Sequence, residues 1–211
     1  MPVIVGISIG LYIATNPMLN SMNEESELTI TQLMENASPI IGSQNAEISI
    51  VEFGDYQCTF CYKFHQNTLN TIQSDYIDSG KINYVYRDFP LNGSDSILAA
   101  EAAYCANDQE NYWQYHNLLF ENWAGENTGW ITMNSLTQFA VDLKLDISEF
   151  KNCLTSHKYY QKVIDNENYA KKININATPS FLIFNNEEVI RIIGAQQLDK
   201  FQTAIEQLMS K

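Results

Sequence analysis

The chemistry available to this chain gathers at Cys58-Thr59-Phe60-Cys61. Two thiols separated by two residues can close a disulfide within one turn of chain. The same spacing can also supply half of a zinc site. A structural zinc site needs a second ligand pair. The other two of the four cysteines, Cys105 and Cys153, each stand alone, without a C-x-x-C or His-pair companion. Thiol–disulfide exchange is therefore the favoured chemistry, with metal binding as the open alternative.

The elements around the pair decide how reactive it is. Ile48-Ser49-Ile50-Val51-Glu52-Phe53 is rich in β-branched residues and predicts a buried strand. Gly54, Asp55 and Gln57 break that run into a turn. Residues 61–77 then carry apolar side chains at Phe64, Leu69, Ile72 and Tyr76, close to helical spacing. The cysteines thus stand where a strand ends and a helix begins. A helix N-terminus presents unpaired N–H groups and about half a positive charge, and both favour an anion. Cys58 at the mouth is expected to be the exposed, low-pKa thiolate, and Cys61, one turn in, the partner that closes the disulfide. C-x-x-C motifs lower a thiol from ~8.5 to between ~3.5 and ~7.5.

The rest of the chain predicts an α/β domain interrupted by helices. A strand at 82–89 follows the cysteine helix, so the strand–helix–strand unit predicts a parallel pair with a right-handed crossover. Helical patterns run over 96–107, 112–123, 132–143 and from 148 on into 157–172; together they form a helical insertion at about 94–172. Strands at 181–184 and 189–193, joined by a turn at Asn185-Asn186, precede a closing helix at 198–209 with Leu198, Phe201, Ile205 and Leu208 in phase.

Composition bounds the rest. The 211 residues are 45% hydrophobic, which suits one ordinary domain with an inserted subdomain. A formal net charge of -13 argues against binding a phosphate backbone and is otherwise explained by solubility. Residues 1–14 are apolar and uncharged from Pro2 to Ala14, too short for an ordinary spanning helix of ~20 residues. They read as a signal peptide or an N-terminal membrane anchor lacking its first residues, with a first strand of the fold as the alternative. Residues 15–43 read as a polar tether, with a short helix near 27–35, and 44–211 as the folded domain. In the oxidising compartment such a leader implies, Cys105 and Cys153 are candidates for a structural disulfide; two separate buried thiols are the alternative.

Four stretches carry a resemblance: Val-Glu-Phe-Gly-Asp-Tyr-Gln-Cys-Thr-Phe-Cys at 51–61, Tyr-Arg-Asp-Phe-Pro-Leu at 86–91, the helical insertion, and Ala-Thr-Pro-Ser-Phe at 177–181. On these the chain resembles the DsbA-like thiol:disulfide oxidoreductases of the thioredoxin superfamily, from about Pro39 to Lys211. The resemblance implies a thioredoxin-like fold with an inserted helical subdomain. It implies that Pro179 is cis and packs beside Cys58, and that Thr178, with Thr59 and Phe60, borders the substrate. It gives Glu52 the role of a buried carboxylate under Cys61 that takes that thiol's proton. Read from alternation alone, Glu52 could equally sit on a solvated strand face. The resemblance further implies cysteine-containing exported proteins as substrates, a DsbB- or VKOR-like membrane partner as reoxidant, a location in the cell envelope, and no cofactor.

The chain departs from the family pattern inside the motif. Many relatives have Pro after the first cysteine, and strongly oxidising DsbA proteins have His before the second; here those positions are Thr59 and Phe60. Phe60 offers the Cys58 thiolate neither a hydrogen bond nor a charge, which implies a less oxidising disulfide. A reductase or isomerase of the same fold, and a metal-binding carrier using the cysteines as ligands, stand as the other expectations.

Overall fold

The computed structural model describes residues 30–210. Its elements in chain order are α1 (Ile30–Met34), β1 (Ile41–Gly42), β2 (Ile48–Gly54), a continuous helix α2 over 59–77, β3 (Ile82–Asp88), α3 (Ser94–Asn107), α4 (Tyr112–Glu121), α5 (Met133–Asp142), α6 (Ile147–Thr155), α7 (Tyr160–Lys172), β4 (Ser180–Phe184), β5 (Val189–Ile193) and α8 (Leu198–Met209). The five strands form one sheet in the order β1-β3-β2-β4-β5. β2 and β3 pair in parallel; the other neighbours are antiparallel. This is a thioredoxin-like sheet, and helices α3 to α7 form the insertion between β3 and β4.

Alternation along β2 sorts its side chains between two buried faces. Ile48 and Ile50 pack with Phe64, Ile72, Phe181, Phe201 and Ile205, beneath α2 and α8. Val51 and Phe53 pack on the other side, with Val85, Leu182, Ala170 and Leu33. Glu52 falls on the α2 side. Because helices cover both faces, the solvated setting that alternation left open for Glu52 does not arise; it is buried. A third core fills the insertion and reaches Cys58 and Cys61 through Tyr56 and Tyr86.

Helix α2 contains two π-helical turns, His65–Leu69 and Gln73–Ile77. The sequence explains where they fall. Buried Phe64 and Leu69 are five residues apart, as are buried Ile72 and Ile77. A five-residue spacing brings two side chains to one face only if the turn widens, and such widened turns recur at functional sites. They leave the first turn, which carries the cysteines, α-helical.

Two expectations are corrected. The stretch 15–43 is not all tether: within its described part, Leu33 and Ala37 enter the core under β2 and β3, and Ile41–Gly42 adds an edge strand to β3. Arg87 holds this segment by donating to the carbonyls of Gln32 (2.7 Å) and Leu33 (3.2 Å). A two-residue strand carries too little periodicity to be read from sequence, whereas α1 falls within the short helix expected near 27–35. The helical pattern from 148 to 172 is two helices, α6 and α7, broken at His157, whose backbone is left-handed (φ 52°). The proposed leader at 1–14 and the first part of the tether lie outside the described residues.

Candidate active site

The turn before Cys58 is built by one carboxylate. Asp55 is buried, and four donors converge on it: Gln57 N (2.8 Å) and Ser96 Oγ (2.6 Å) on Oδ1, Asn92 N (2.8 Å) and Asn92 Nδ2 (3.1 Å) on Oδ2. Ser96 belongs to α3 and Asn92 to the loop before it, so the insertion helps shape the turn. Burial raises Asp55's pKa, and these hydrogen bonds oppose that rise. Gly54, at the end of β2, allows Tyr86 to pack across the strand; a Cβ there would lie 2.4 Å from the tyrosine ring.

Cys58 is the N-cap of α2, with Tyr62 N donating to its carbonyl at 3.0 Å. Cys58 and Cys61 are both free thiols. Cys58 is only 5% exposed, less than its place at the helix mouth suggests, because the loop before β4 closes over it. In that loop the Thr178–Pro179 peptide bond is cis. When protonated, the Cys58 thiol donates to the Thr178 carbonyl, 3.4 Å away. Cys61 is fully buried and its Sγ accepts from Asp55 N at 3.5 Å.

The two thiols are electrostatically unlike. A hydrogen bond from the Cys61 thiol, helped by the Thr178 side chain and the backbone N–H groups of Cys61 and Phe60, outweighs burial and lowers Cys58 to about 6. Cys61 is pushed well up, by burial first and then by the hydrogen bond and charge of Cys58 and the charge of Glu52. At neutral pH one thiolate is held in place, on Cys58, with a protonated thiol behind it.

Glu52 lies beneath the pair and accepts a hydrogen bond from the Tyr84 hydroxyl. Burial raises its pKa to about 8, against the Tyr84 hydrogen bond, and the Cys58 charge adds to the rise. It is therefore mostly protonated at pH 7 and can exchange a proton with a neighbour of similar affinity.

Of the remaining site residues named from sequence, Thr59 and Phe60 form the rim. Phe60 is 56% exposed with Lys63 over its ring at 5.2 Å. Thr59 N donates to Glu126 Oε1 at 2.7 Å. Cys105 and Cys153 lie away from the rim and are bonded to each other, joining α3 to α6 with Cα atoms 5.7 Å apart. His65, one turn past Cys61, is buried against Phe120 and His116, and burial lowers its pKa. Among the described residues no group of three or more His, Cys, Asp or Glu side chains is placed to hold a metal ion.

Sequence reasoning missed the residues that reach the motif from far away. Loop 122–132 is fastened to it by Trp123 Nε1 donating to the Gln57 carbonyl (2.8 Å), Asn127 N donating to Gln57 Oε1 (3.0 Å) and the Trp123 indole stacked on Tyr62 at 4.5 Å. Tyr56 reaches into the insertion, its hydroxyl 2.9 Å from His116 Nδ1. No local pattern marks these partners, since each contact spans more than fifty positions of chain.

A thioredoxin-like sheet with a C-x-x-C at the mouth of its first long helix, a cis X-Pro beside it and helices inserted before β4 defines a protein thiol:disulfide oxidoreductase. Comparison with known proteins narrows the class. A family model described as Thioredoxin matches residues 35–207. Disulfide bond formation protein D of Bacillus subtilis is 31% identical over 156 residues, covering 72% of this chain and 69% of that protein. The crystal structure of oxidised BdbD from Bacillus subtilis matches with a TM-score of 0.73 at 29% identity, covering 82% of this chain and 93% of that one. Wolbachia pipientis alpha-DsbA1 matches with a TM-score of 0.73 at 27% identity, covering 84% and 92%. The chain belongs to the DsbA-like thiol:disulfide oxidoreductases of the thioredoxin superfamily.

Proposed function

We propose that the protein is a thiol oxidase of the cell envelope that introduces disulfides into cysteine pairs of exported proteins through Cys58 and Cys61. The observation that carries this reading is the unlike setting of the two thiols: Cys58 caps α2 beside the cis Thr178–Pro179 bond and is lowered to about 6, while Cys61 is fully buried behind it and pushed well up. A stabilised Cys58 thiolate favours the reduced enzyme, and so makes the enzyme's disulfide a stronger oxidant.

The steps follow from that asymmetry. A substrate thiolate attacks Cys58 Sγ in the Cys58–Cys61 disulfide. The bond between the two enzyme sulfurs breaks, and Cys61 leaves with the electron pair. Pushed well up by burial first and then by Cys58 and Glu52, Cys61 takes a proton, and Glu52, protonated below about 8, is the group we assign to give it. The second substrate thiolate then attacks the substrate sulfur of the mixed disulfide and expels Cys58 as a thiolate, a good leaving group because its pKa is low. Two electrons pass from substrate to enzyme. Thr178 lends its carbonyl to the rim where the substrate chain lies, with Pro179, Thr59 and Phe60 around it. Return of the enzyme to the disulfide falls to a DsbB- or VKOR-like membrane partner.

The Cys105–Cys153 bond supports an oxidising compartment, where such bonds persist. Among the described residues no helix is long and apolar enough to cross a membrane. Any membrane association is assigned to residues 1–14.

Phe60 favours a second reading, a reductase, because its ring gives the Cys58 thiolate no polar support. The equilibrium reduction potential of the Cys58/Cys61 couple against glutathione separates the two. A value near about −120 mV supports the oxidase, and one near about −270 mV, the level of thioredoxin, replaces it with the reductase.

A further inference from the structure

Loop 122–132 brings a carboxylate to the active-site helix. Glu126 Oε1 accepts from the backbone N–H of Thr59, the residue directly after Cys58, at 2.7 Å. The placement is held from both sides. Trp123 Nε1 donates to the Gln57 carbonyl at 2.8 Å, and Asn127 N donates to Gln57 Oε1 at 3.0 Å. Asn127 has a left-handed backbone (φ 53°), which turns the chain back at this point. Gln57 is itself buried and anchored by Nε2 donating to Ser96 Oγ at 2.9 Å. Glu126 is thus an exposed acidic side chain on a fastened loop, aimed at the N-terminus of a helix where the chemistry requires a different anion, the Cys58 thiolate.

Two consequences have the same sign. A negative charge beside the thiolate raises the thiolate's energy. It also occupies the first N–H of the helix, one of the donors from which a helix N-terminus draws its affinity for anions. The other groups facing Cys58 are accounted for. Cys61 on the same helix donates to it, Glu52 on β2 lies beneath it, and the loop before β4 contributes Thr178, which carries no charge.

We infer that Glu126 is a positioning residue that tunes the couple: its carboxylate holds the Cys58 thiolate less stable, and the enzyme less oxidising, than the bare helix terminus would. The inference rests on Cys58 being the attacking thiol. It places part of the control of redox poise in the insertion rather than in the two residues between the cysteines.

Glu126→Gln tests it, because the amide oxygen can still accept from Thr59 N while the charge is gone. The Cys58 thiolate is titrated by its ultraviolet absorbance in the reduced proteins, and each couple is equilibrated with glutathione. The Glu126→Gln protein should titrate lower by roughly half a unit, the scale of one charge at a helix terminus. Its equilibrium constant should shift roughly threefold towards the reduced enzyme. Both differences should shrink in about 1 M salt, which screens exposed charges. Glu126→Ala, which also removes the hydrogen bond, should move both quantities in the same direction. Unchanged titration and equilibrium in Glu126→Gln overturn the inference, and so does a change confined to Glu126→Ala, which would mark a loop anchor. Neither result touches the oxidase reading, which falls instead if the wild-type couple itself lies near about −270 mV.

Discussion

The Sγ of Cys58 lies 3.4 Å from the carbonyl oxygen of Thr178, a residue 120 positions further along the chain. The two meet because β2 and β4 are neighbours, with Phe53 opposite Ser180. Cys58 follows the end of β2, and Thr178 precedes the start of β4. Strand pairing, not nearness in sequence, brings the sulfur to this carbonyl, since α2, β3 and the whole insertion lie between the two residues.

Cys58 in the reduced protein should react with iodoacetamide along a single titration centred near 6 and reach its plateau by about pH 7. Its folded-state pKa lies below the unfolded value of ~8.5, so the reduced protein gains stability as pH rises between these two values and loses it as pH falls through about 6. Cys58→Ser should abolish exchange with a model dithiol peptide, while Cys61→Ser should accumulate mixed disulfide. Exchange retained by Cys58→Ser and lost only in Cys61→Ser would reverse the assignment.

Glu52→Gln should slow the Cys61 steps on the order of 100-fold, the usual weight of a positioned acid or base. It should also change the pH dependence of folding. Glu52's folded pKa, about 8, stands above its unfolded value of 4.5, so the native state binds this proton more tightly. The stability this contributes is complete at low pH and is lost as pH rises through about 8. Chemical denaturation of both proteins at pH 5 and pH 9 checks this. The variant should gain on the wild type by up to about 4 kcal/mol at the higher pH. Parallel pH profiles would show that Glu52 does not titrate in this window.

Arg87 is a buried cation that staples three elements. Nε and Nη2 donate to Asn166 Oδ1 on α7 (3.1 and 2.8 Å), Nη1 reaches α1, and the guanidinium stacks on Tyr169 at 4.1 Å. Arg87→Met should cost roughly 2–4 kcal/mol, the range for breaking a buried charged network. The loss should appear first as protease cleavage between residues 30 and 38. A variant with wild-type melting temperature and an uncut N-terminal segment would show that apolar packing holds α1 without Arg87.

Cys105 and Cys153 close a loop with a sequence separation of 48. Cys105→Ala/Cys153→Ala should lower stability by about 4 kcal/mol on the chain-entropy model. In unfolded wild type after mild reduction, alkylation should label Cys58 and Cys61 while Cys105 and Cys153 stay blocked. Four labelled thiols in the air-oxidised protein would remove the bridge.

Much of the architecture was legible in local pattern. The β-branched run of β2, the strand at β3 and the phased apolar residues of α8 each bury a continuous stripe, and such stripes leave a period in the sequence. The turn at Gly54, Asp55 and Gln57 was legible as punctuation, but Asp55's real task, gathering Asn92 and Ser96, was not. The segment around Leu33 and Ile41 read as tether because a lone buried leucine and a two-residue strand produce no period.

The sequence by itself determined the reactive pair, the strand-to-helix junction that activates it, and the helices set between β3 and β4, because spacing and propensity are local properties of the chain. Tertiary structure alone decided the burial of Cys58 under Thr178, the depth of Glu52 against Tyr84, and the arrival of Glu126 at Thr59 N. Desolvation and charge act through space, and the groups that set the pKa of a thiol are chosen by which strands pair and which loops fold back. A covalent chain encodes those choices only through its whole packing.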